Sequence, residues 1–80
     1  MFSAYILKSI KDSKFYYGHT SDLELRLEEH NSGKVKATKY RRPLVLHYFE
    51  NFSSRTEAVQ RELFFKSIPG YLYLKENKII

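Results

Sequence analysis

The sequence predicts an α+β domain with a small three-stranded, mostly antiparallel sheet flanked by helices, in the order ββαβαα. Three observations carry this. Two runs rich in Tyr, Phe, Ile and Leu flank turn-forming residues near the N-terminus, two Ser-x-x-Glu capping boxes each open a stretch of helically spaced apolar residues, and a third β-prone run lies between those stretches. Strands that pair locally before the first helix favour an antiparallel sheet with helices packed on it.

Residues 2–9 and 14–18 read as the first two strands. Lys11-Asp12-Ser13-Lys14 joins them, and its Asp-Ser pair supplies side chains that bond a tight turn. Ser21 with Glu24 announces the first helix, which carries Leu23 and Leu27 on one stripe and stops near Asn31-Ser32-Gly33, where glycine suits a left-handed residue. Leu44 to Phe49 is the third strand, rich in β-favouring Val45, Tyr48 and Phe49. Ser54 with Glu57 opens the second helix, which runs through Ala58, Val59, Leu63 and Phe65 and ends near Ser67, because Pro69-Gly70 interrupts it. Tyr71 to Lys78 is a short third helix. Residues 1–80 are expected to form a single domain, too small for more than a marginal core.

Composition narrows the chemistry. There is no cysteine, which excludes disulfides and thiolate metal sites. The N-terminal apolar run is too short for a signal peptide or a membrane span, so a cytoplasmic setting without membrane contact is the expectation. Net charge is +5, and the excess is clustered: Lys34, Lys36, Lys39, Arg41 and Arg42 fall within one loop that contains no acid. Such a loop suits a polyanion such as nucleic acid; the competing reading is a solvated loop that keeps the protein soluble.

Five residues could serve phosphodiester chemistry. Tyr5 and Tyr16 come from strands expected to pair, and two phenols can position or deprotonate a water. Arg26 and His30 share a helical face, and a guanidinium can stabilise charge on pentavalent phosphorus. Glu62 lies at the edge of the apolar stripe of the second helix, where one carboxylate could hold one Mg²⁺. Each has a plainer reading: cross-strand aromatics for the tyrosines, an exposed Asp22–Arg26 pair with His30 on the surface, and an ion pair of Glu62 with Lys66. Glu57 is most simply a helix cap.

In their order, Ser3-Ala4-Tyr5, Tyr16-Tyr17-Gly18, Arg26, His30 and Glu62 resemble the GIY-YIG nuclease domain, chiefly its small single-domain bacterial type, similar to the N-terminal domain of the excision-repair nuclease subunit. The likeness is most specific from Tyr17 to Lys34 and at Arg61-Glu62 with Lys66-Ser67. It implies a GIY-YIG fold and a DNA endonuclease dependent on Mg²⁺ or Mn²⁺, structure-selective in repair or recombination. By the same resemblance, Tyr5 positions the water or phosphate, and Tyr16 is the candidate general base in a family whose members differ in which of the two tyrosines serves. Arg26 stabilises the transition state, His30 orients Tyr16 or passes on its proton, and Glu62 is the sole protein ligand of the metal. Asn77 corresponds to an orienting Asn found in some members, and His19 stands where many carry lysine. The first motif keeps only its tyrosine, and Tyr17 replaces the usual isoleucine. Larger relatives append a DNA-binding domain that this chain has no room for, so targeting would come from the basic loop, from DNA shape or from a protein partner. A non-catalytic module that binds nucleic acid or docks on a nuclease is the alternative reading.

Overall fold

In the computed structural model, which describes residues 1–80, the order is β1 (Phe2–Ser9), β2 (Phe15–Thr20), α1 (Leu23–Asn31), β3 (Leu44–Phe52), α2 (Arg55–Phe65) and α3 (Ile68–Glu76). The sheet is antiparallel in the order β2-β1-β3. Being central, β1 is covered on both faces, and Ser3 through Leu7 are all buried instead of alternating. Ala4 and Ile6 face one way, into a core with Phe65 of α2 and Leu74 of α3. Tyr5 and Leu7 face the other way, towards Leu44 and the α1 leucines Leu23 and Leu27. This second face, closed by α1, carries most of the candidate chemistry.

Local signals explain most element ends. Ser13 adopts φ 61° in the β1–β2 turn, and the Asp12 carboxylate accepts the Lys14 N–H at 2.9 Å. Beyond α1, Gly33 has φ 83°, its N–H donates to the His30 carbonyl, and the Lys34 N–H donates to that of Glu29, a Schellman closure. The Asn31 side chain then bonds both the N–H and the C=O of Leu44, at 2.7 and 2.8 Å, and ties the end of α1 to the start of β3.

Several expectations are corrected. The N-cap of α1 is Asp22, not Ser21: the Thr20 hydroxyl accepts the Asp22 N–H, and the Asp22 carboxylate accepts from Leu25 at 3.1 Å. With its carboxylate so used, Asp22 forms no pair with Arg26, which bonds Glu29 instead. Strand β3 runs on to Phe52 because β1 templates its whole length, with Phe2 opposite Phe52, and β2 likewise extends to Thr20, opposite Ser3. In α2 the buried face passes through Ala58 and Phe65, so Leu63 is 59% exposed while Glu62 turns inward. The third helix starts at Ile68: Ser67 caps it, Pro69 sits in its first turn, and Gly70 lies inside it. Gly70 is required there, since a Cβ would come 1.7 Å from the Phe64 carbonyl oxygen. Finally, His30 is not a surface residue; it is fully buried.

Candidate active site

Pairing of β1 with β2 sets Tyr5 opposite Gly18 and Leu7 opposite Tyr16, so both phenols rise from the α1-covered face. The Tyr5 ring crosses over Gly18, where a Cβ would meet its Cζ and Oη at 2.5 Å; glycine is needed there to let the ring through. The two tyrosine rings are 6.5 Å apart between centroids. His30, in the last turn of α1, inserts between them and the basic loop. Its Nε2 is 2.9 Å from Tyr5 Oη, and its Nδ1 is 2.7 Å from the hydroxyl of Thr38, itself fully buried. Contact with Tyr16 is ring against ring, edge-on at 5.0 Å, with no hydrogen bond between them.

The electrostatics follow from this burial. Burial, with the neighbouring Tyr16 and Glu62, pushes the Tyr5 phenol up to about 12 despite the Arg26 guanidinium beside its oxygen. His30 is depressed to about 4, first by burial and then by Arg26, with Glu29 opposing. At neutral pH, then, Tyr5 keeps its proton and His30 is uncharged. Arg26 also reaches Glu29 at 3.3 Å, and the two line a cleft of about 280 Å³ with His19, Asp22 and Arg55.

Glu62 stands at the β2 edge of the sheet. His19 Nδ1–H donates to one of its oxygens at 2.7 Å and the Lys66 ammonium to the other at 2.6 Å. Burial alone would raise this carboxyl, but Lys66 and His19 outweigh it and hold it below its ordinary value. An ionised, largely shielded carboxylate suits a hard divalent cation that otherwise keeps water and phosphate oxygens as ligands. The donor set fits such an ion once Lys66 and His19 yield their places. Nowhere do three or more His, Asp or Glu residues gather as a metal site.

The structure thus packs Tyr5, Tyr16 and His30 together behind Arg26, which lines the cleft with His19, and His19 in turn joins Glu62. Asn77 is elsewhere employed: it ends α3, with its side chain donating to the Tyr73 carbonyl. The basic loop divides. Arg41 is tied to Asp12 at 3.0 Å and Arg42 to the Lys39 carbonyl at 2.8 Å, whereas Lys34, Lys36 and Lys39 make no ion pair. Sequence reasoning missed Thr38 and Arg55. Thr38 had a signal, as the one aliphatic hydroxyl in the basic run; Arg55, which opens α2, had none beyond its charge.

Comparison with known proteins places the chain in a family. A family model described as the GIY-YIG catalytic domain matches residues 1–68. The UPF0213 protein YazA of Bacillus subtilis is 42% identical over 78 residues, covering 92% of this chain and 78% of that protein. A UPF0213 protein of Staphylococcus haemolyticus is 47% identical over 72 residues, covering 89% and 87%. Among solved structures, the solution NMR structure of a UPF0213 protein from Bacillus halodurans is similar with a TM-score of 0.55 and 35% identity, over 98% of this chain and 86% of that one.

Proposed function

The chain belongs to the family of the GIY-YIG catalytic domain, a nuclease-type domain, and on that premise we propose that it is a divalent-metal-dependent endonuclease that hydrolyses DNA phosphodiester bonds. One observation carries the reading. Two phenols and a neutral imidazole pack together behind a guanidinium that lines the cleft, and an ionised carboxylate is bonded to His19 of the same cleft.

In this reaction a water oxygen bonds to phosphorus, the bond from phosphorus to the leaving strand's oxygen breaks, and the water's proton passes to a base. Tyr16, half-buried and free of side-chain hydrogen bonds, is the phenol assigned to that base. Tyr5, protonated at neutral pH, is suited to donate to a phosphate oxygen or to the attacking water. Arg26 offsets negative charge on the pentavalent phosphorus. Glu62 would hold the divalent ion, which when bound supplies Lewis-acid stabilisation and acidifies water. The unpaired lysines of the loop are suited to flanking phosphates. DNA repair or recombination, with structure-selective cutting, is the setting proposed for this activity.

The test is cleavage of single-stranded, duplex, nicked and branched DNA with Mg²⁺, run with EDTA and with Glu62→Gln. Cleavage is expected to fall by at least about 100-fold in the variant, with DNA affinity nearly unchanged. A Glu62→Gln protein that cuts like the wild type would sink the mechanism. One observation favours a second reading. Both Glu62 oxygens are already satisfied by His19 and Lys66, as befits a structural ion pair in a module that binds DNA without cutting it. Wild-type protein that binds but does not cut any of the four substrates would decide for that module.

A further inference from the structure

Thr38, His30 and Tyr5 form a chain of three hydrogen-bonding side chains joined by two bonds. Neutral imidazole has one N–H and one acceptor nitrogen, so the chain runs in one of two directions. If Tyr5 donates to Nε2, then Nδ1–H donates to Thr38, and the Thr38 hydrogen is left over. Thr38 is fully buried, and its hydroxyl meets no polar partner other than His30. A left-over hydrogen there incurs the full desolvation penalty of an unmade bond. In the opposite direction the left-over hydrogen belongs to Tyr5, which is as buried, at 1% exposure. There, however, it lies at the end of the chain within the field of the Glu62 carboxylate, which attracts it, whereas Thr38 has no such group beside it.

We propose that Thr38 is a positioning residue: its hydroxyl donates to His30 Nδ1, fixes the imidazole as the Nε2–H tautomer, and makes His30 a donor to Tyr5 Oη, so that the Tyr5 hydrogen points out of the chain towards a substrate phosphate oxygen or water. His30 then neither removes a proton from Tyr5 nor relays one from Tyr16; it holds the Tyr5 oxygen and leaves its hydrogen free. The identity of the acceptor beyond Tyr5 rests on the nuclease reading, while the direction of the chain does not. The low pKa of His30 agrees with it, because a ring that stays neutral keeps a single N–H to place.

The experiment reads the tautomer first. Long-range ¹H–¹⁵N correlation of the labelled full chain at neutral pH, with the three histidines (His19, His30, His47) assigned, reports which His30 nitrogen carries hydrogen. Protonated Nε2 with bare Nδ1 is expected; an Nδ1–H tautomer in the wild type overturns the proposal whatever the variants do. In Thr38→Val the Nε2–H preference should weaken, and the cleavage rate at saturating DNA should fall about tenfold with affinity unchanged. Thr38→Ser should restore both. Loss of activity in Thr38→Ser equal to that in Thr38→Val would reduce Thr38 to packing and overturn its positioning role. An Nε2–H tautomer in a protein that cuts no DNA supports the direction of the chain and overturns the nuclease reading alone.

Discussion

A histidine with no solvent exposure is uncommon, and His30 is tolerated in the core because both ring nitrogens have partners there. That burial makes stability depend on pH. The imidazole titrates at 6.5 when unfolded and at about 4 when folded, so between these values the unfolded chain binds the extra proton. Stability from this site is whole above pH 6.5 and drains away as pH falls towards 4, a loss of as much as about 3 kcal/mol. Glu62 acts in the same sense, since its folded pKa is lowered and its contribution fades on acidification. Urea titrations at pH 7 and 4.5 should show a larger acid loss in the wild type than in His30→Gln, and equal losses would contradict the burial argument. Residue types and order made Tyr5, Tyr16, Arg26, His30 and Glu62 visible in the sequence. Burial of His30 was not visible, because it depends on Thr38 returning from a loop that local pattern reads only as basic.

At the scale of elements, the corner between α2 and α3 shows which signals decide. Helix α2 ends at Phe65, close to the expected Ser67, yet Pro69 does not act as a breaker: it fits the first turn of α3 under a Ser67 cap. The restart was legible in Ser67-Ile68-Pro69; the need for Gly70 was not, since it arises from α3 crossing the Phe64 carbonyl. Gly70→Ala separates the two effects. Helix propensity alone would stabilise by about 1 kcal/mol, whereas the clash should dominate and destabilise by about 3 kcal/mol. Denaturant unfolding that found the variant as stable as the wild type would refute the close approach. The α1 cap follows the same lesson: Ser21 and Asp22 are adjacent candidates, and the choice falls to Asp22 through Thr20, a contact set by the end of β2. The β3 boundary was likewise illegible locally, because its last residues are held by pairing with β1.

For the molecule as a whole, the excess of positive charge was plain in the sequence, but its division into structural and available cations was not. Arg41 and Arg42 are engaged by Asp12 and by backbone carbonyls, which leaves Lys34, Lys36 and Lys39 for a polyanion. Neutralising each of these lysines that meets a phosphate should flatten the slope of log K against log[salt] on duplex DNA by about 0.9. Arg41→Gln should leave that slope alone and weaken the fold by no more than about 1 kcal/mol. A slope that ignores the lysines and responds to Arg41 would reverse the assignment. The pair of hydrogen bonds between Asn31 and Leu44 bears on this loop in another way. It joins the two ends of the segment from 32 to 43, so that segment behaves as a cassette clipped onto a finished frame. Inside the cassette, outward lysines alternate with the inward Val35 and Thr38. Grafting it whole onto another frame would therefore carry over the outer charge and the Thr38 hydroxyl together, while exchanging lysines one at a time would retune the surface and leave the interior as it was.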